Sequence, residues 1–154
     1  MKFISYLFFS IVLLTYIGCD DLPTFEEQLT IDKAIIEDYI AENGLVGQWT
    51  TNGVFYTMEK EGVGTAHPTT SSSIEIIYEG KFLDGTTFDS SKGFPVNFNV
   101  YSLIRGWQEG ILQYKKESKG TMIIPSGLAY GPNGTYGIPG DAVILFNIEL
   151  LDFN

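Results

Sequence analysis

After a nearly unbroken apolar run at residues 3–17, the hydrophobic positions of this chain fall into two distinct periods. Between residues 30 and 44, apolar side chains recur at Ile31, Ile35, Ile36, Tyr39 and Ile40, the spacing of one helix face. Thr30 can cap the start and Asn43-Gly44 can supply a left-handed stop, so the pattern predicts a helix over 30–44. Such a stripe needs cover, and packing on the domain's own surface is favoured over pairing with a second copy. Residues 20–28 are polar with one proline and no period, which reads as a tether.

From Gly53 onward the period becomes two. Strands are expected at 53–59, at 73–83 (Ile74, Ile76 and Tyr78 alternating with Glu75, Ile77 and Glu79), at 95–100, at 120–124 and at 142–153. Asp84-Gly85 signals a turn into 86–88. Residues 104–116 form the other helix candidate, with Trp107, Ile111 and Leu112 on one side. The Gly-, Pro- and Tyr-rich stretch 126–141 has the composition of a long functional loop. One helix, several strands, a short helix and two more strands suggest an α+β domain, an antiparallel sheet wrapped on a single helix.

A length of 154 residues suits one domain with appendages, and 44% hydrophobic content is ample for a core. The formal charge of −10 argues against nucleic acid as a partner, because phosphates would be repelled. The lone cysteine excludes an internal disulfide. Its position changes the picture more. Met1-Lys2, the apolar run and Gly18-Cys19 describe a signal peptide over 1–18, and the run is shorter than the ~20 residues a spanning helix needs. Gly18-Cys19 resembles the lipobox of bacterial lipoproteins, although Tyr16 stands where that motif usually has Leu. That resemblance implies cleavage before Cys19, acylation of its thiol and a tether over 19–29. An uncleaved anchor with an incidental cysteine is the alternative. Either way the expectation is an extracytoplasmic domain held at a bacterial membrane, the outer one being favoured, facing the periplasm or the cell surface. Two or three acyl chains would hold it stably and one only marginally. Asp20-Asp21 could also act as a sorting signal for surface display.

Much chemistry is missing. The sequence has no Gly-rich phosphate loop, no metal-ligand spacing and only one histidine, His67, which sits beside Pro68 in the polar loop 62–72 and reads as solvated. A reaction that needs neither nucleophile nor metal fits better.

Five blocks, in order, carry a resemblance: Tyr78-Glu-Gly, Asp84-Gly-Thr-Thr-Phe-Asp89-Ser-Ser, Leu103-Ile-Arg-Gly-Trp-Gln-Glu-Gly, Ile124-Pro-Ser-Gly-Leu-Ala-Tyr130-Gly and Leu145-Phe146-Asn-Ile-Glu-Leu. From about residue 74 to the C-terminus the chain closely resembles the FKBP-type peptidyl-prolyl cis/trans isomerases. The stretch from Pro95 to Trp107 is similar to their macrophage-infectivity-potentiator branch, and the N-terminal helix resembles that of lipoprotein forms in Bacteroidetes-like bacteria. The resemblance implies an FKBP-like half-barrel over 53–154, curled around the helix near Trp107, with an extra N-terminal helix. It implies that Tyr78, Phe88, Phe98, Trp107 and Phe146 wall a substrate pocket, with Leu103, Ile104 and Ile138 around it. The Ile104 N–H and the Tyr130 hydroxyl would donate to substrate carbonyls. Asp89, expected to be buried, would pair with Tyr78.

No cofactor is implied, whether ATP, metal or nucleotide. The expected partners are proline-containing exported or unfolded polypeptides, with tacrolimus- or rapamycin-type macrolides as competitors. Some positions depart from the family pattern: Glu117 where Gly is frequent, Gly140 in place of a second Pro, Tyr136-Gly-Ile138 at the loop tip, and Val96 where a second aromatic is frequent. A second reading keeps the groove or the Ile31–Ile40 face as a binding module without useful turnover, an accessory of a surface machinery such as gliding motility.

Overall fold

The computed structural model describes residues 22–154; the expected signal peptide and Cys19 lie outside them. Seven antiparallel strands form one sheet in the order β1-β2-β6-β7-β3-β4, with β5 beside β4 on the same edge of β3. The strands are β1 (Gly47–Trp49), β2 (Phe55–Thr57), β3 (Ser73–Phe82), β4 (Thr87–Ser90), β5 (Val96–Asn99), β6 (Ser118–Ile124) and β7 (Ile144–Phe153). The two long strands β3 and β7 pair along most of their length, from Ile74↔Phe153 to Phe82↔Ile144. The expected α+β architecture is present.

Alternation sorts the side chains onto two faces. Ile74, Ile76, Met122, Ile124, Ile144, Phe146, Ile148 and Leu150 join one core with the short helix α2 (Arg105–Gly110). Phe55, Ile123, Val143 and Leu145 point the other way and meet Ile36, Tyr39 and Ile40 of the N-terminal helix α1 (Phe25–Asn43). The sheet therefore lies between two helices, and the second core is the one that α1 closes.

Helix α2 approaches β6 closely because Gly106 has no side chain; a Cβ there would collide with the Ile124 side chain. The helix is shorter than the expected 104–116. After Gly110 it tightens into a 3₁₀ turn (Ile111–Gln113), and Tyr114 is already extended. The reason is Tyr114 itself: fully buried, it donates its hydroxyl to the carbonyls of Thr57 and Thr121 at 3.0 and 3.1 Å, which pulls the chain out of helical register.

Helix α1 also departs from expectation. It begins at Phe25, inside the stretch read as a tether, and Thr24 rather than Thr30 is its cap. Thr24 and Glu27 form a reciprocal capping box, with the Glu27 carboxylate 2.9 Å from the Thr24 N–H. Thr30 instead donates back to the Glu26 carbonyl from mid-helix. The expected stop is present, with Gly44 in the left-handed region at φ 61°. The Ile31–Ile40 stripe is divided: Ile36 is fully buried, whereas Ile31 and Ile35 are 49% and 42% exposed. The docked face turns slightly, placing Asp32 inward in their stead. Strand β1 was not expected, because all three of its residues are exposed and carry no alternation.

Candidate active site

The helix and the strands together build an open cup. Its floor is Trp107, buried at the first turn of α2, with Phe146 of β7 packed edge-on at 5.0 Å and 73°. Tyr78 of β3 closes one wall, 5.9 Å from Trp107 at 87° and 5.9 Å from Phe98 of β5. The two edge-to-face contacts on Trp107 add about 0.5–1.5 kcal/mol each beyond their area. Its volume is about 250 Å³, and its lining is Tyr78, Asp89, Phe98, Ser102, Leu103, Ile104, Trp107, Tyr130 and Phe146.

Residues from five separate blocks thus converge on one cavity. Two expected lining residues do not reach it. Phe88 stands behind Phe146, edge-on at 5.6 Å and 86°, and against Phe82 at 5.1 Å. It backs the wall without being the surface. Ile138 turns inward from a tight turn, closed by mutual 2.9 Å bonds between Thr135 and Ile138, and its buried side chain joins the core behind the cup. Tyr136, at the tip of that turn, is fully exposed. Ser102 was not expected at the site.

Polar groups are confined to the rim. The Tyr78 hydroxyl donates to Asp89 Oδ2 at 2.9 Å. Asp89 is exposed rather than buried, since β4 is an edge strand with solvent beyond it. Burial foremost, then the bond to Asp89, pushes the Tyr78 phenol up to about 12. Burial and the Asp89 charge also raise the Tyr130 phenol. Both hydroxyls therefore stay protonated, and remain donors, at neutral pH.

Two donors are left open. Among the described residues the Ile104 N–H meets no protein acceptor, and neither does the Tyr130 hydroxyl. Ile104 lies just before α2 in an extended conformation, φ −59° and ψ 154°, which turns its amide out of the helix ladder. That rim is fastened by Gln108, whose side-chain amide donates to the Leu103 carbonyl at 2.7 Å and to the Tyr101 carbonyl at 3.1 Å. Sequence reasoning missed Gln108, although it lies one residue beyond Trp107.

Gly80 has a similar hidden part. It sits at an irregularity between β3 and β4, where a Cβ would come 2.6 Å from Phe146 and 2.8 Å from Phe88. Its bareness lets those rings close over the strand. The site holds no charged cluster suited to a metal: among the described residues no group of three or more His, Cys, Asp or Glu comes together.

Known proteins share this chain's sequence and fold. The model of the family described as FKBP-type peptidyl-prolyl cis-trans isomerase matches residues 64–151. The isomerase FkpA of Buchnera aphidicola from Schizaphis graminum is 40% identical over 67% of this chain and 42% of its own. FkpA of Escherichia coli K12 is 36% identical over 78% of this chain and 44% of its own. The chain thus spans less than half the length of these relatives. The crystal structure of FkpA from Escherichia coli superposes with a TM-score of 0.71 at 32% identity, covering 84% of this chain and 62% of that one. A peptidyl-prolyl cis-trans isomerase from Pseudomonas syringae pv. tomato reaches 0.73 at 29% identity, over 87% of this chain and 98% of its own. With its family match covering more than half of the sequence, and an aromatic cup where the family blocks meet, this chain belongs to the FKBP-type peptidyl-prolyl cis-trans isomerases.

Proposed function

We propose that the cup catalyses cis/trans isomerisation of X-Pro bonds in polypeptides. The observation that carries this reading is an apolar aromatic cavity with two unspent donors, the Ile104 N–H and the Tyr130 hydroxyl, at its edge. The barrier to rotating an amide is about 18–20 kcal/mol and comes from C–N double-bond character. A half-turned amide has lost that resonance and its charge separation, so it is less polar than the planar form. An apolar cup of Trp107, Phe146, Tyr78 and Phe98 favours the half-turned state, and only such differential binding speeds a reaction. The Ile104 N–H and Tyr130 hydroxyl hold flanking carbonyls in place while the bond turns. Asp89 orients the Tyr78 hydroxyl at the same edge. No bond to the protein forms or breaks.

A volume of about 250 Å³ suits a proline ring with parts of its neighbours. Uncatalysed X-Pro isomerisation takes tens to hundreds of seconds, slow enough to limit folding, so the natural substrates are unfolded or newly exported chains. The same cup takes tacrolimus- or rapamycin-type macrolides as competitors. The proposal extends to location: Lys2, the apolar run 3–17 and Gly18-Cys19 support an extracytoplasmic domain tethered through an acylated Cys19. Mass spectrometry of the native N-terminus tests that part; an unmodified Met1 or a free Cys19 thiol contradicts it.

The competing use of the same cavity is to hold peptides without turning them. Tyr130→Phe and Asp89→Ala separate the two. Under the isomerase reading both lower turnover more than peptide affinity. Affinity and turnover falling in equal measure, or neither changing, would favour a binding module.

A further inference from the structure

Asp32 is fully buried on α1, one turn before Ile36 of the second core. Among the described residues no cation pairs with it. Burying a lone carboxylate is costly unless donors saturate it, and a leucine would serve better if α1 were only a cover. The donors that saturate it are specific. Asp32 Oδ2 accepts both the Ser126 N–H and the Ser126 hydroxyl, each at 2.7 Å, and Oδ1 accepts the Gln28 amide at 2.8 Å.

Ser126 is also fully buried and opens the 3₁₀ turn Ser126–Leu128 that follows β6. Its carbonyl accepts the N–H groups of Ala129 and Gly131, both at 2.9 Å. Those are the residues on either side of Tyr130. One serine thus holds α1 with its donors and brackets Tyr130 with its acceptor. A second contact lies alongside: Gly127 leaves room for the Phe25 ring, where a Cβ would come within 2.7 Å.

We infer that Asp32 is a positioning residue: acting through Ser126, it fixes the turn that presents the Tyr130 hydroxyl to the cavity, so that helix α1 governs turnover from the opposite face of the sheet. The inference rests on the isomerase reading of the cup. It goes beyond that reading by making a helix outside the matched family region, residues 64–151, part of the catalytic apparatus.

The test uses the full chain and two readouts. In Asp32→Ala, the amides of Ala129 and Gly131 exchange with deuterium about tenfold faster while those of β7 do not, because a local opening has been released. In the same variant kcat/KM for a prolyl peptide falls about tenfold, yet in a Tyr130→Phe background the added loss is under about twofold, since both changes act through one hydroxyl. Ser126→Ala, which keeps the backbone bond to Asp32, shows the same pattern at smaller amplitude and serves if Asp32→Ala does not fold. Unchanged exchange at Ala129 and Gly131 overturns the inference, and so does a loss of kcat/KM that is equal in both backgrounds. A wild-type chain with no isomerase activity would sink the isomerase reading and the catalytic role together, while the exchange result would still decide whether the anchor exists.

Discussion

The Tyr78 hydroxyl donates to Asp89 Oδ2 at 2.9 Å from a ring that also packs on Trp107 and Phe146. One side chain is thus both wall and rim, and its polar end is held by an exposed carboxylate on the neighbouring strand.

This pairing predicts an alkaline loss of stability. Burial and Asp89 raise the Tyr78 phenol from an ordinary 10.0 to about 12. Between those values the folded chain keeps a proton that the unfolded chain has released, so stability falls as pH rises. The contribution is complete below pH 10 and gone above about 12. Tyr114, whose phenol burial also raises, adds to the fall in the same direction. Urea unfolding followed across this window should show a shallower decline in Tyr78→Phe than in wild type.

Gly80→Ala puts a Cβ against the rings of Phe146 and Phe88 at 2.6 and 2.8 Å. Phe146 lines the cup and Phe88 packs behind it, so neither ring can move freely. Overpacking of this kind costs about 1–3 kcal/mol. The displaced Phe146 should also weaken prolyl-peptide binding, which calorimetric titration with the peptide would detect. Stability and affinity both at wild-type levels would show that the rings have slack.

Glu117→Gly should do the opposite. Glu117 occupies the left-handed region at φ 63°, in the turn that Ser118 closes by donating its N–H to the Lys115 carbonyl at 3.2 Å. A residue with a Cβ is strained there by about 1–2 kcal/mol, partly offset by the greater freedom glycine has when unfolded. The net gain expected in denaturant unfolding is up to about 1 kcal/mol, with isomerase activity unaltered, since the turn is remote from the cup.

The long strands were legible because their side chains alternate cleanly: Ile74, Ile76 and Tyr78 face the core while Glu75, Ile77 and Glu79 do not. The cup was legible as a set of blocks rather than from any one residue, since Trp107 or Phe146 alone reads as core, and both are indeed nearly buried. The start of α1 was misplaced, although Thr24-Phe-Glu-Glu27 carries a capping-box pattern; Pro23 and the polar run around it masked the signal. Periodicity assigned Ile31 and Ile35 to the buried face, and it had no means of placing Asp32 there, because Ser126 is distant in sequence. Phe88 and Ile138 were expected in the lining, and only the packing of Phe146 and the turn 135–138 decides that they stand behind it. Asp89 was expected to be buried, and the edge position of β4 leaves it in solvent.

The most direct measurement is the cis/trans relaxation of a short proline peptide with and without the purified chain. Alone, the peptide relaxes over tens to hundreds of seconds. Micromolar protein should shorten this about tenfold or more, within the usual range of kcat/KM, and a macrolide of the tacrolimus type should abolish the effect. Relaxation identical to that of the peptide alone, by a protein whose Trp107 is buried as in the folded domain, would contradict the claim that this cup turns prolyl bonds.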